Sequence, residues 1–167
     1  MNKKVKVYFD FLCPFCYKGV MNMIELMPEF PELMVDWVPC EAHPRPEKRS
    51  LYSDIAAEAF LYIKGHKGDM ISFIKAVFRA YYVERKSIDD KEVLLECAKD
   101  ANVELDRFRA SLTRRDYKQD VISNNETIWN IYDAEAVPSF YCRNKQLLSR
   151  ENRMISKEEL RDFLASL

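Results

Sequence analysis

Cys13 and Cys16 are separated by Pro14 and Phe15, and two thiols at that spacing can form and break a disulfide when they open a helix. In such chemistry a thiolate attacks a disulfide sulfur, forms a mixed disulfide, and is released when a second thiol attacks in turn. At a helix start the first cysteine stands at the exposed end and the second lies one turn inside. Cys13 is therefore the expected nucleophile and Cys16 the resolving thiol. Unpaired backbone N–H groups and the positive end of the helix dipole lower the pKa of the first thiol below its free value of about 8.5. Pro14 suits the first helical position because it has no N–H to leave unpaired, and Phe15 brings bulk without charge. With no histidine between the cysteines, Cys13 is expected to be less acidic than the extreme thiol of this chemistry, whose pKa is about 3.5.

A close cysteine pair can also be half of a zinc site, which needs two more ligands. Cys40, Cys97, Cys142, His43 and His66 are scattered along the chain, so neither a metal nor an organic cofactor is expected. The three remaining cysteines read as small buried hydrophobes rather than catalysts, with a regulatory disulfide left open for Cys40 and Cys142. Asp10 reads as a capping or solvated residue beside the pair, and His43 and His66 as solvated side chains.

These residues need elements to hold them. Val5, Val7 and Phe9 alternate with Lys4, Lys6 and Tyr8, the period of a strand. Past Cys13 the period becomes helical, with Val20, Ile24 and Met27 on one face and Pro28 limiting it. Leu33, Val35 and Trp37 give a second strand, expected to pair in parallel with the first through the helical connection. Residues 41–50 read as an exposed connector.

From residue 51 to about 132 the pattern is helical. Ile55, Ala59 and Tyr62 form one stripe, and Met70, Phe73, Ile74, Val77, Phe78 and Tyr81 a wider one beyond Gly65 and Gly68. The aromatic stripe of Phe73, Phe78, Tyr81 and Tyr82 reads chiefly as core, with part of it able to roof a groove above the cysteines. Ser87 with Asp90 reads as a capping box, Leu105, Phe108 and Leu112 mark a short helix, and Val121, Ile128 and Tyr132 a last longer one. Residues 137–142 and 146–149 then suggest a hairpin about Asn144, and Ser156 with Glu159 a capping box opening a terminal helix.

A chain of 167 residues with 48% hydrophobic residues can bury a core as one domain. Its 26 basic and 27 acidic side chains nearly cancel, which points away from nucleic acid and anionic membranes as partners. No stretch approaches the roughly 20 apolar residues of a membrane span. The Met1-Asn2-Lys3-Lys4 start has no long apolar run, and five cysteines are an odd number for a secreted scaffold. A cytoplasmic location is expected.

Asp10-Phe11-Leu12-Cys13-Pro14-Phe15-Cys16-Tyr17-Lys18-Gly19 resembles the signature of FrnE-type members of the DsbA-like branch of the thioredoxin superfamily, in which an aspartate precedes Cys-Pro-x-Cys and a Tyr and Gly follow. Ser87-Ile88-Asp89 through Leu94, with Phe108 and Leu112, resembles the end of that group's helical insertion. Val137-Pro138-Ser139-Phe140 is similar to its Val-Pro-x-Phe, where the proline is cis. The resemblance spans most of the chain. It implies an α/β thioredoxin fold with an inserted all-helical subdomain, residues 1–50 and 133–167 forming the thioredoxin-like domain and 51–132 the insertion. It also implies Cys13 as nucleophile, Cys16 as resolving cysteine, and Val137-Pro138 as a loop that, with Pro14 and Phe15, faces an extended substrate. Two departures stand out: Val7 replaces the buried acid found six positions before the first cysteine in thioredoxin and DsbA, and Asp133 and Ala136 replace glycines before the proline.

The resulting expectation is a thiol-disulfide oxidoreductase that reduces, forms or isomerises disulfides in proteins or peptides. Its thiol reductant would be glutathione or a thioredoxin-type donor. One rival is a glutathione-dependent transferase or isomerase of the kappa-class and chromene-carboxylate group, whose members carry serine where Cys13 stands. Another is a chaperone-like binding module that uses the helical block as an apolar surface.

Overall fold

Residues 3–167 are described by a computed structural model; Met1 and Asn2, part of the N-terminal segment considered above, lie outside the described residues. The alternating apolar positions make β1 (Lys3–Phe9), buried at Val5 and Val7 and on both faces at Tyr8 and Phe9. Helix α1 (Pro14–Leu26) carries the chain across to β2 (Leu33–Pro39), which pairs in parallel with β1, placing Val5 opposite Val35 and Val7 opposite Trp37. On the other side of β1, β3 (Ser139–Cys142) runs antiparallel with Phe140 opposite Val7. The hairpin partner β4 (Lys145–Leu148) completes the sheet in the order β2-β1-β3-β4. The cysteine helix therefore starts beyond the end of a central strand.

Between β2 and β3 come α2 (Asp54–Gly65), α3 (Met70–Tyr82), α4 (Lys91–Ala98), α5 (Leu105–Arg114) and α6 (Lys118–Asn125), and α7 (Lys157–Ala165) closes the chain beside α1. This is the expected α/β architecture with helices inserted between strands. Phe9 packs edge-on against Phe11, Trp37 and Phe60, with ring centroids 5.1, 6.2 and 5.7 Å away, and Phe11 meets Phe78 of α3 at 5.2 Å. Strands and inserted helices thus share one aromatic core, each such pair adding about 0.5–1.5 kcal/mol to simple burial.

A buried ion network fixes the insertion on its other side. Arg115, in the left-handed conformation at the end of α5, donates through Nε and Nη2 to Glu58 and through Nη2 to Asp54, both on α2. Arg45, from the connector after β2, also donates to Asp54.

Some local expectations need correction. The capping box at Ser156 and Glu159 is present, but Ser87 and Asp90 do not form one. Ile88 is fully buried and holds the preceding turn in the core, so α4 begins later with Asp90 as its own cap, accepting from Glu92 N at 2.9 Å. The last long helix is also not regular. After Asn125 it widens into a π-helical segment, Glu126–Ile131, and Tyr132 ends exposed. The wider winding directs Trp129 Nε1 onto Glu41 O at 2.8 Å. Glu41 is in turn the buried exception in the otherwise largely exposed 41–50 connector.

Candidate active site

Cys13 is the N-cap of α1 and Pro14 its first residue. The Cys13 backbone is extended, and its Sγ accepts from Cys16 N at 3.3 Å. The thiol is half-buried, whereas Cys16 is completely enclosed. Cys13 is more acidic than an ordinary thiol, chiefly because the Cys16 side chain hydrogen-bonds to it, with backbone N–H groups of Cys16 and Phe15 adding to the effect against the cost of burial. Cys16 moves in the opposite direction: burial and its proximity to Cys13 hold its proton on. Of the two thiols, Cys13 is therefore the one that loses its proton first, while Cys16 keeps its own.

Val137 lies over a hundred residues later in the chain, yet its carbonyl oxygen sits 3.5 Å from Cys13 Sγ. The Val137–Pro138 peptide is cis, as is Arg45–Pro46. Ser149 Oγ donates to Pro138 O at 2.6 Å and Ser139 Oγ to Ala136 O at 2.8 Å, anchoring the loop from both sides. Gly19 makes the approach of α1 to this loop sterically feasible, because a Cβ there would stand 2.6 Å from Pro138 Cγ. Of the residues expected to face a substrate, Pro14 is exposed and Phe15 half-exposed, while Val137 and Pro138 bury their side chains. The loop thus turns its backbone, not its side chains, toward Cys13.

A cavity of about 450 Å³ opens beside Cys13, lined by Pro14, Asp10, Lys48, Arg49, Tyr52 and Tyr81 among others. Phe15 and Val137 are not part of its lining. The aromatic stripe of α3 divides as expected: Phe73 and Phe78 are core, and Tyr81 reaches the cavity. Tyr17 stacks on Tyr82 with ring centroids 4.8 Å apart and planes 8° from parallel, tying the cysteine helix to the insertion.

Asp10 departs most from expectation. It is neither solvated nor the cap of α1; it is 3% exposed. Its carboxylate accepts from Leu12 N at 2.9 Å and Ala42 N at 2.7 Å, and its own N–H donates to Cys16 Sγ at 3.4 Å. Burial, the largest influence, raises its pKa. The signal was an acid directly following an apolar strand and preceding Phe11 and Leu12. A second buried carboxylate, Glu41, is held by Asn125 Nδ2 at 3.0 Å and is likewise raised chiefly by burial; its position beside Pro39 and Cys40 gave no such signal.

Val7 is fully buried and Cys40, Cys97 and Cys142 are buried. His43 and His66 are both exposed, His43 3.0 Å from Glu47 and His66 stacked on Tyr62 at 3.8 Å. Among the described residues no group of three or more His, Cys, Asp or Glu side chains is placed to hold a metal ion, and no helix is long and apolar enough to cross a membrane.

A curated relative, the uncharacterized protein YwbO of Bacillus subtilis strain 168, is 27% identical over 182 residues, covering 84% of this chain and 86% of that one. Among solved structures, a probable DsbA oxidoreductase from Streptomyces coelicolor superposes with a TM-score of 0.81 at 16% identity, covering 98% of this chain and 89% of its own. The cytosolic disulfide reductase DsbM of Pseudomonas aeruginosa, solved with GSH, gives 0.72 at 19% identity and 98% coverage of both chains. The profile of the DSBA-like thioredoxin domain matches residues 4–161. That span takes in both cysteines, the inserted helices and the Val137–Pro138 loop, and the chain belongs to the DSBA-like thioredoxin domain family, as a disulfide oxidoreductase of thioredoxin fold.

Proposed function

We propose that the protein exchanges thiols and disulfides by a two-cysteine route, with Cys13 forming the mixed disulfide and Cys16 resolving it. One observation carries this reading: the half-buried Cys13 sulfur caps α1 with its pKa lowered, directly above an enclosed Cys16 whose pKa is raised. Attack begins at the exposed sulfur as the thiolate, and the disulfide bond passes inward to Cys16 as the partner sulfur leaves. Val137 O, 3.5 Å from Cys13 Sγ, supports a role for the Val137–Pro138 backbone in holding an extended peptide alongside the reacting sulfurs. Pro14, exposed at the helix start, and Phe15, half-exposed after it, flank the same approach.

The favoured direction is reduction or isomerisation of disulfides in proteins or peptides, in the cytoplasm. Phe15 adds no positive charge to depress the Cys13 pKa further, and the likeness to a cytosolic disulfide reductase points the same way. Glutathione fits as the electron donor: Lys48 and Arg49 line the cavity beside Cys13 and complement the carboxylates of that thiol.

The decisive experiment is a Cys16→Ser variant challenged with glutathione disulfide and with an oxidised peptide, then analysed by mass spectrometry. A stable adduct at Cys13 is the expected result. Absence of any adduct with either disulfide would sink the route.

A further inference from the structure

Cys16 has no surface of its own, yet it must lose a proton to resolve a mixed disulfide. In the free dithiol the Cys16 side chain hydrogen-bonds to Cys13, whose charge draws on that proton. Once Cys13 is bonded to a substrate sulfur that charge is gone, and a different acceptor is needed. Val7, fully buried in β1, is apolar and offers no acceptor.

The groups around the pair include Tyr52 and Tyr81, phenols on the cavity wall. Cys40 follows β2 and is a buried thiol with its proton held on by desolvation. Tyr82 on α3 is a phenol whose pKa is raised by burial. Lys48 and Arg49 are cations on the cavity wall, and His43 lines the same cavity but is exposed and paired with Glu47. Glu41 binds Asn125 and lines a separate cavity on the far side of Ala42. Among these groups Asp10 both contacts Cys16, through its N–H on Sγ at 3.4 Å, and belongs to the lining of the open cavity beside Cys13, and its carboxylate is near enough for its charge to act on Cys16. It is also held in place by two backbone N–H groups.

We propose that Asp10 accepts the Cys16 proton in the resolving step and returns it in the reverse direction. The inference rests on the two-cysteine route proposed above. In the step, the Cys16 S–H proton passes to the Asp10 carboxylate and the Cys16 sulfur bonds to Cys13 Sγ. The bond between Cys13 and the substrate sulfur breaks with its electron pair going to the substrate, which leaves as a thiolate and is protonated by water. The dithiol is oxidised by two electrons and the substrate disulfide reduced by two. Asp10 then releases its proton to water in the cavity. The burial that raises its pKa suits it to give and take a proton closer to neutral pH than an exposed aspartate.

The test uses the symmetric nitrobenzoate disulfide, whose released thiolate absorbs visible light, mixed with the reduced protein by stopped flow. Attack by Cys13 releases a first thiolate and resolution by Cys16 a second, so both steps appear in one trace. In Asp10→Asn the second phase is expected to slow about a hundredfold near neutral pH and to recover steadily as alkali ionises Cys16 directly. The first phase is expected to hold or quicken, because the Asp10 charge opposes the Cys13 thiolate. In the unmodified protein the second phase should level off with rising pH, well below the titration of Cys16. An Asp10→Asn second phase of normal rate and pH dependence overturns the proposal, as does equal slowing of both phases at every pH, the mark of a purely structural role. Should Asp10→Asn not fold, a second phase in the unmodified protein that climbs without levelling into alkaline pH overturns it equally. Absence of any second phase in the unmodified protein instead defeats the two-cysteine route itself.

Discussion

Gly19→Ala sets two known magnitudes against each other inside α1. Replacing a helix-interior glycine with alanine stabilises the helix by about 1 kcal/mol when nothing opposes it. Here the new Cβ would meet Pro138 Cγ at 2.6 Å, whereas carbon atoms rest at about 3.5–4.0 Å. The proline ring is stiff and its loop is anchored by Ser149 and Ser139, so the helix and the loop must separate by about 1 Å. Overpacking of this kind costs about 1–3 kcal/mol, which exceeds the propensity gain and leaves the variant about 1 kcal/mol less stable. Separation would also draw the Val137 carbonyl away from Cys13 Sγ, and a misplacement of about 1 Å can slow a positioned reaction by about a hundredfold. Urea unfolding of the reduced protein measures the first effect, and the rate of mixed-disulfide formation with an oxidised peptide the second. A Gly19→Ala protein that is about 1 kcal/mol more stable and reacts at the normal rate would refute the reasoning, because it would mean that the loop is not held against the helix.

Cys16→Ala should move the iodoacetamide reaction of Cys13 to higher pH, toward the range of a free thiol, because the Cys16 side chain is the largest influence lowering the Cys13 pKa; an unmoved profile would contradict that assignment. Since Cys13 is depressed in the folded state, its ionisation favours the reduced fold above the ordinary thiol pKa, and this contribution fades as pH falls through the lowered value. Arg115→Ala should cost about 3–5 kcal/mol in chemical denaturation, because Glu58, 1% exposed, loses the guanidinium that binds both its oxygens. Adding Glu58→Gln should recover part of that loss. Ser156→Ala should lower stability by about 1 kcal/mol through loss of the α7 capping box, with the rate of mixed-disulfide formation unchanged.

What could be read from the chain in advance was what repeats along it. The period-two pattern of Val5, Val7 and Phe9, and the switch to helical spacing after Cys13, located the strand and helix that present the dithiol, because burial on one face forces that pattern. The turn before α4 could not be read the same way. Ser87 and Asp90 have the composition of a capping box, but the burial of Ile88 is a tertiary event that decides where the helix starts. The π-helical segment was hidden for the same reason, since it follows from Trp129 reaching Glu41 across the fold. Asp10 was legible as a residue and illegible as an environment. Its partner Ala42 stands 32 positions away, and only the parallel pairing of β1 and β2 brings the ends of the two strands together to enclose the carboxylate.

The Cys13 sulfur accepts the Cys16 N–H as the cap of α1, and this ties the energetics of the helix terminus to electron transfer. A thiolate accepts that hydrogen bond strongly; a sulfur already bonded to Cys16 accepts it poorly. Around the cycle linking folded and unfolded, reduced and oxidised chains, whatever the cap contributes to the reduced fold alone appears as a more positive reduction potential. A cap worth about 1 kcal/mol corresponds to about 20 mV. Substitutions that never touch a sulfur but alter how the first turn of α1 is wound, at Phe15 or Tyr17, therefore set how readily this protein gives up its electrons.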